Sequence, residues 1–148
     1  VRSLVYMLRN FPGIRFIFIS LEELKLPEDL REFLDKSKIT FEESDNLEKN
    51  LRKADILYST RIQDEYDKHH ESKVIDYSKF HLKKEHLAHL KEKAIILHPL
   101  PRRNEIAVEI DPDPKAWYWK QEVNGLWMRT ALIAHIFNED GYILNYKS

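Results

Sequence analysis

The 148 residues contain no cysteine, which excludes disulfides, thiolate metal sites and cysteine nucleophiles. Glycine is scarce, and the three glycines form neither a G-x-G-x-x-G nor a Walker phosphate loop. Neither sign of charge is in excess, because 24 basic residues stand against 25 acidic ones, so no nucleic-acid footprint is indicated. No apolar run approaches the roughly 20 residues of a membrane span. We therefore expect neither a nucleic-acid nor a membrane partner.

The composition is that of one ordinary globular domain. Hydrophobic residues make up 43% of the sequence and charged residues 33%, and 148 residues are enough to bury a single sizeable core. A valine stands first and an apolar segment with helical spacing begins at once, so we expect a chain that is cut inside an element. We also expect a cytoplasmic protein, since the absence of cysteine is compatible with a reducing compartment.

Short apolar strands alternate with helices along the sequence. Runs rich in β-branched and aromatic residues predict buried strands over 14–19, 39–41, 55–59 and 94–97. Helical patterns cover the first eight residues, the stretch from Pro27 through Leu34, and residues 45–54, 83–91 and 115–138. This alternation predicts an α/β domain over 1–138 with a tail over 139–148. The domain would be a Rossmann-like parallel sheet of about four to five strands with helices on both faces.

Two pairs of residues have the spacing of a helix start. Ser20 with Glu23 three residues later has the form of a capping box, in which two side chains satisfy backbone N–H groups reciprocally. Asp45 with Glu48 repeats that spacing before the helix predicted over 45–54. We expect both pairs to mark places where the chain enters a helical turn.

A long polar loop is predicted from Arg61 to Tyr77, and loops of this length in compact domains tend to be functional or mobile. Arg61 and Gln63 lie two residues apart on an extended stretch, so their side chains point to the same side. A guanidinium grips a carboxylate through two parallel hydrogen bonds, and a carboxamide adds a donor or acceptor beside it. This pair suits a small acid such as an amino acid. Alternatively, Arg61 is a surface residue that pairs with Asp64 or Glu65.

The stretch His98-Pro99-Leu100-Pro101 follows the fourth predicted strand. Two prolines remove two backbone donors and fix φ, so the carbonyl groups of the stretch are held rigidly and can accept hydrogen bonds from a ligand amide or amine. In α/β folds ligands gather at the carboxyl ends of the strands. If the third and fourth strands are neighbours, this loop and the one carrying Arg61 face one pocket. A plain structural turn is the alternative.

Seven histidines invite comparison with a metal site, but their spacing matches no recognised pattern. His86 and His89 lie three apart on a predicted helix, near His81 and Glu85. Zinc needs three or four converging ligands with supporting groups behind them. We therefore interpret these histidines as solvated side chains of a helix face and expect no metal site.

Aromatic residues are dense at the last predicted helix, where Trp117, Tyr118, Trp119 and Trp127 occur. Aromatic side chains at helical spacing usually belong to a core or to a contact between domains. We favour that interpretation over an aromatic cage for a ligand.

Three groups of residues, in this order and separation, resemble the second domain of the aspartate carbamoyltransferase family. They are Thr60-Arg61-Ile62-Gln63-Asp64-Glu65, then His98-Pro99-Leu100-Pro101-Arg102-Arg103-Asn104-Glu105-Ile106-Ala107, then Ala116-Trp117-Tyr118 with Gln121, Asn124-Gly125, Arg129 and Ala131-Leu132. The resemblance covers 1–138, and the stretch from His98 to Arg102 is its most specific part. The sister enzymes that act on ornithine carry a cysteine in the corresponding stretch, and this chain has none.

The resemblance implies transfer of a carbamoyl group from carbamoyl phosphate to the amine of L-aspartate, an early step of pyrimidine synthesis. In that scheme Arg61 holds an aspartate carboxylate, with Gln63 beside it. The backbone carbonyls of Pro99 and Leu100 accept hydrogen bonds from the carbamoyl nitrogen and the incoming amine, and the Leu100–Pro101 bond is cis. Catalysis is then positioning and oxyanion stabilisation, without a covalent intermediate, metal or cofactor.

The resemblance also implies supporting residues and partners. Glu65, His98, Pro101, Arg102 and Glu105 are expected to order the two loops. The family's first domain, which binds carbamoyl phosphate through a Ser-Thr-Arg-Thr loop, has no counterpart in this sequence. Active sites of the family are shared within a homotrimer, and a regulatory subunit accompanies some catalytic chains. We therefore expect little activity from this chain alone.

A second function hypothesis comes from a different class of protein. A domain derived from this family can serve without catalysis, as a module that binds an acidic amino acid or assembles with a partner chain. Aspartate binding without any contribution to carbamoyl transfer would favour this alternative.

Overall fold

Helices and short strands alternate along the chain, as its sequence pattern predicts. A computed structural model describes residues 1–61 and 77–141. The α-helices are α1 (Arg2–Leu8), α2 (Glu28–Lys36), α3 (Leu47–Leu51) and α4 (Tyr118–Ile136). The strands are β1 (Arg15–Ile19), β2 (Thr40–Ser44), β3 (Ile56–Tyr58) and β4 (Ile95–Leu97). Short 3-10 helices occupy Glu22–Leu24, Ser78–Phe80, Lys84–His89 and Val108–Ile110.

The four predicted strands are present and pair in parallel. β1 pairs with β2 in a register that aligns Arg15 with Thr40, and β3 pairs with β4 with Ile56 opposite Ile95. The connection from β1 to β2 runs through α2, because parallel neighbours need a crossover. The α/β class is thus confirmed, but the described strands form two two-stranded sheets and not the predicted single sheet of about four to five strands, because β1 and β2 pair only with each other, as do β3 and β4.

One apolar cluster packs α1 and α2 against β1 and β2. Its buried members are Val5, Leu30 and Leu34, and phenylalanines of both strands pack against them. The helix predicted after Pro27 begins there, with Pro27 as its N-cap. The capping box predicted at Ser20 does not form, since Leu21 precedes the 3-10 helix and makes no side-chain cap.

A second apolar cluster lies beneath the loop that follows β4. It contains the buried side chains of Leu47, Leu51, Leu82, Leu90, Ala94, Ile96, Ile106, Ile110 and Tyr118. The helix predicted near Asp45 begins one residue later, because the Asn46 side chain accepts the Lys49 N–H at 2.9 Å. This cluster connects α3, β4 and the first turn of α4, and it lies beneath the loop that begins at His98.

The final helix, α4, spans 19 residues and buries only its first aromatic side chain, that of Tyr118. Trp117, Trp119 and Trp127 are 38%, 44% and 64% exposed, so they are not core residues of the described domain, and the alternative of a contact between domains remains a prediction. None of the helices within the described ranges is long and apolar enough to cross a membrane.

Candidate functional site

The carboxyl ends of β3 and β4 lie side by side. Tyr58 is the register partner of Leu97, and the Ser59 N–H donates to the Leu97 carbonyl at 3.0 Å. The next residues along each strand are therefore Thr60-Arg61 on one side and His98 on the other, and both segments leave the same edge of one sheet. The predicted neighbourhood of these two strands is confirmed.

The structure brings some of the predicted site residues to this edge and does not reach others. Arg61 follows β3 there and is partly buried. Gln63 and Glu65 lie outside the described residues, as does Asp64, the alternative partner of Arg61. The predicted pairing of the guanidinium with a carboxamide therefore remains a prediction.

His98 is the most enclosed polar residue of the site, with a side chain that is 0% exposed. Its ring Nδ1 lies 2.9 Å from the backbone nitrogen of Leu100, and its Nε2 lies 2.9 Å from Oε1 of Glu105. Its backbone N–H donates to Oε1 of Gln121 on α4, also at 2.9 Å. Three hydrogen bonds thus tie this residue to the loop, to Glu105 and to the last helix.

The stretch from Pro99 to Pro101 has no backbone donor to offer a ligand. Both prolines lack an N–H, and that of Leu100 is already donated to His98. Leu100 has a φ of 40°, in the left-handed region that few non-glycine residues occupy. The Leu100–Pro101 bond is cis, as the family resemblance implies. The outward polar groups of this stretch are therefore carbonyl acceptors.

Arg102 anchors the far side of the loop. Its guanidinium forms a two-pronged pair with Asp111, in which Nη2 lies 2.6 Å from Oδ2. The Tyr118 hydroxyl donates to Oδ1 of Asp111 at 2.5 Å, and the guanidinium lies 5.7 Å from the centre of the Trp119 ring. Arg102 therefore ties its own loop to α4, whereas its predicted role in ordering the Arg61 loop remains a prediction.

The pKa values of this cluster follow from those contacts. Hydrogen bonds from Arg102 lower the pKa of Asp111, and the same pair raises the pKa of the guanidinium. Burial, reinforced by the neighbouring Asp111, raises the pKa of Tyr118 to about 12. All three groups therefore keep one charge state around neutral pH.

Asp111 and Glu105 show what sequence reasoning could and could not find. Glu105 was expected among the supporting residues, and it accepts from the His98 ring and from the Arg103 N–H at 3.0 Å. Asp111 was not singled out, because an acid nine residues after an arginine has no distinctive spacing. Charge balance does not single it out either, because the sequence holds 25 acidic residues.

A polar cavity of about 190 Å³ opens elsewhere, at the carboxyl ends of β1 and β2. Its acids already have partners: Glu43 accepts the Leu26 N–H at 2.8 Å and pairs with Arg31, and Glu22 pairs with Lys25. The residues that line this cavity include none of those predicted for the substrate site. The candidate site remains at the β3–β4 edge.

The two histidines of the 3-10 helix at Lys84–His89 differ in their surroundings. His86 was predicted to be solvated and is instead buried, at 5% exposure, in the 3-10 helix. Its Nδ1 accepts the Lys83 N–H at 3.1 Å, so it caps that helix. His89 is exposed, as expected. In the ranges 1–61 and 77–141 no three metal-binding side chains are grouped to hold an ion.

Fold and site together define an α/β domain that presents an arginine and a row of carbonyl acceptors at one edge of a parallel sheet. Residues 1–136 match the family described as aspartate/ornithine carbamoyltransferase, Asp/Orn binding domain, and the chain belongs to that family.

Similar proteins carry one enzyme name. The aspartate carbamoyltransferase catalytic subunit of Lachnoclostridium phytofermentans is 45% identical over 139 residues, which are 93% of this chain and 45% of the relative. The chloroplastic aspartate carbamoyltransferase of Arabidopsis thaliana is 39% identical over 90% of the chain and 34% of its own length. The chain therefore spans less than half the length of these relatives.

Solved structures agree with the sequences. The catalytic subunit of M. jannaschii aspartate transcarbamoylase superposes with a TM-score of 0.80 at 33% identity, covering 95% of this chain and 45% of that one. The Trypanosoma cruzi enzyme in complex with N-(phosphonacetyl)-L-aspartic acid gives 0.77 at 27% identity, over 89% and 43%.

Proposed function

We propose that this chain forms the aspartate-binding part of an aspartate carbamoyltransferase. The enzyme would convert carbamoyl phosphate and L-aspartate to N-carbamoyl-L-aspartate and phosphate in the cytoplasmic synthesis of pyrimidines. The observation that carries the proposal is the shared edge of β3 and β4, where Arg61 and the stretch from Pro99 to Pro101 emerge from paired strands.

Arg61 is proposed to hold the side-chain carboxylate of aspartate. A guanidinium is always charged and binds a carboxylate through two parallel hydrogen bonds, which a lysine cannot reproduce. Gln63 is proposed to contact the substrate beside it. An acidic amino acid fits this arginine better than the cationic ornithine does.

The backbone carbonyls of Pro99 and Leu100 are proposed to accept hydrogen bonds from the carbamoyl nitrogen and the aspartate amine. This assignment is supported by the lack of any free backbone N–H from Pro99 to Pro101, which leaves only carbonyl acceptors for a ligand. His98, Glu105 and Arg102 hold this loop through the contacts described above, and Pro101 and Glu65 complete the supporting set.

The reaction needs positioning more than chemistry by side chains. The aspartate amine attacks the carbonyl carbon of carbamoyl phosphate, the bond from that carbon to the phosphate oxygen breaks, and phosphate leaves with the electron pair of that bond and takes up the proton that the amine loses. Aligned carbonyl acceptors hold the amine in the attacking geometry, which lowers the entropic part of the barrier. No covalent intermediate, cofactor or metal takes part in this scheme.

Carbamoyl phosphate is proposed to bind mainly to the part of the enzyme that this chain does not match. The relatives are more than twice as long as the matched region, and no phosphate loop is present in this sequence. A catalytic homotrimer, with or without a regulatory subunit, is the assembly expected of the complete enzyme. The chain alone should then form little product.

A chimera tests the proposal. This chain replaces the corresponding region of the Lachnoclostridium phytofermentans relative, and formation of carbamoyl-aspartate is measured. We expect activity in the chimera and a loss of at least about a hundredfold in kcat/KM with Arg61→Ala, because hydrogen bonds to a charged group are removed.

Arg52→Ala is the matched control, since Arg52 is an exposed arginine at the end of α3. Equal activity of the two variants would remove Arg61 from the site. Calorimetric titration of the separate chain with L-aspartate addresses the second hypothesis. Binding by the chain together with an inactive chimera would favour a non-catalytic amino-acid-binding module.

A further inference from the structure

We propose that His98 is a positioning residue that sets the direction of the Pro99 carbonyl by holding the Leu100 N–H. The inference deepens the proposed function, on which its consequence for aspartate binding rests. Its structural content depends only on the contacts of one buried imidazole.

The hydrogen bonds fix the tautomer of His98. A backbone N–H can only donate, so Nδ1, which lies 2.9 Å from the Leu100 nitrogen, must be an unprotonated acceptor. The ring proton then sits on Nε2 and is donated to the Glu105 carboxylate at 2.9 Å. The neutral ring with its proton on Nε2 is therefore the form that makes both contacts.

Peptide planarity transmits this contact to the substrate side. The Leu100 N–H and the Pro99 carbonyl belong to the same planar unit and point in opposite directions when the bond is trans, as it is before Leu100. Because the N–H is turned towards a fully buried ring, the Pro99 carbonyl is turned away from it. Pro99 is exposed, and the proposal places its carbonyl at the edge where a ligand would lie.

The ring itself is held in place by its surroundings. Glu105 also accepts the Arg103 N–H through its other carboxylate oxygen at 3.0 Å, and its backbone carbonyl accepts the Leu82 N–H at 2.8 Å. Gln121 fixes the His98 backbone from α4. With the ring held at both nitrogens and the His98 backbone held by Gln121, the Leu100 peptide unit has one preferred orientation.

Two substitutions separate the acceptor contact to Leu100 from the donor contact to Glu105. His98→Asn keeps a short side-chain acceptor that can take the N–H two residues on, as asparagine does in Asx turns, but it loses the donor to Glu105. His98→Gln keeps a donor that reaches towards Glu105 and loses the short acceptor. His98→Asn should therefore be the less stable variant, because a buried carboxylate oxygen is left without its donor.

The test uses the 148-residue chain and its two variants. Long-range proton–nitrogen NMR should show a protonated Nε2 and a bare Nδ1 in the unmodified chain. Amide exchange at Leu100 should be at least about tenfold faster in His98→Gln and nearly unchanged in His98→Asn. Affinity for L-aspartate, measured by calorimetry, should fall about tenfold in His98→Gln and less in His98→Asn.

The order of the two variants is the decisive readout. A merely structural role predicts that aspartate affinity follows stability, so that His98→Asn binds worst, and that order would overturn the proposal. A protonated Nδ1, or unchanged Leu100 exchange in His98→Gln, would overturn it independently of any ligand. If the unmodified chain bound no aspartate, the affinities would be compared in the chimera, and an inactive chimera would sink the proposed function while the tautomer and exchange results still decided the role of His98.

Discussion

The described fold has two parts, here called its first and second halves, that each contain one two-stranded sheet: residues 1–54 carry β1 and β2, and residues 55–61 and 77–141 carry β3 and β4. The two halves place their charged groups differently. In the first half most pairs lie at the surface, as with Arg15 and Glu42, whose side chains are 53% and 33% exposed. The exception is the pair of Arg31 and Glu43, which are 32% and 16% exposed. The second half has surface pairs too, such as Lys91 and Asp55 at 44% and 82% exposure, but around the candidate site His98 and Glu105 are 0% and 9% exposed and Arg102 is 13% exposed. Burial of polar groups is unfavourable unless they satisfy one another, and here they do.

This contrast separates two uses of polarity. Exposed pairs contribute little to stability and can be exchanged without consequence. Buried, mutually bonded groups hold the backbone in one arrangement, and in this chain they surround the stretch from Pro99 to Pro101. The half with the costlier polar interior is the half in which we place the site.

Removal of core volume below the site should give the largest effect. Ile96→Ala, at a position that is 0% exposed on β4, is expected to lower the free energy of unfolding by about 3 kcal/mol. Leu34→Ala in the other cluster should cost about as much, because it is equally buried. Urea unfolding measures both, and amide exchange at Leu100 should rise only in Ile96→Ala. A rise in both variants would contradict the separation of the two halves.

Loss of Asp111 should come next. Asp111→Ala leaves the guanidinium of Arg102 and the hydroxyl of Tyr118 without their acceptor, so we expect a loss of about 2 kcal/mol. The unmodified chain should lose the same stabilisation in acid. Because folding lowers the pKa of Asp111, this stabilisation is complete above the ordinary pKa of 3.8 and is lost as the pH falls through the lowered pKa.

Asp29→Ala is the matched control for that loss. Its carboxylate pairs with Arg2 at the surface and is 63% exposed, so its removal should leave the urea midpoint unchanged within error. A comparable loss in the two variants would show that burial does not distinguish the two kinds of pair.

Tyr118 should reveal itself at high pH. Folding raises its pKa from 10.0 to about 12, so its contribution is complete below pH 10 and is lost as the pH rises through about 12. Tyr118→Phe should cost about 1 kcal/mol at neutral pH and should lack this alkaline decline. Urea unfolding of both proteins from pH 9 to 12 makes the comparison. Parallel pH profiles would refute the role given to the hydroxyl.

Arg15→Ala should have the smallest effect. Its partner Glu42 also pairs with Lys53 at 2.9 Å, so a second cation remains after the substitution. The urea midpoint should not move measurably, at low or high salt. A clear loss at low salt would mean that the surface pairs of the first half matter more than their exposure indicates.

Local patterns predicted the elements because they depend on local physics. The strands at Ile56–Tyr58 and Ile95–Leu97 follow from β-branched runs, and their adjacency placed both loops at one edge. The capping box predicted at Ser20 does not form because the 3-10 helix begins one residue later, with Leu21 and not Ser20 at the N-cap position.

Tertiary pairing was beyond the reach of those patterns. Burial of His86 depends on its packing at the end of a 3-10 helix, and the choice of Asp111 by Arg102 depends on how the loop folds back on α4. Neither leaves a periodic signal. Within the site, the family resemblance identified His98 and Glu105, but their hydrogen bond to each other is visible only in the folded structure.

The two prolines around Leu100 also constrain how this segment tolerates change. Replacing Pro99 or Pro101 by any other amino acid introduces a new backbone hydrogen into a row that otherwise shows a ligand only oxygen. Such a substitution reverses polarity at one point without altering any charged side chain. Even a conservative substitution there would place a backbone N–H donor beside the carbonyls, where it would compete with the amine of a ligand for the same acceptors.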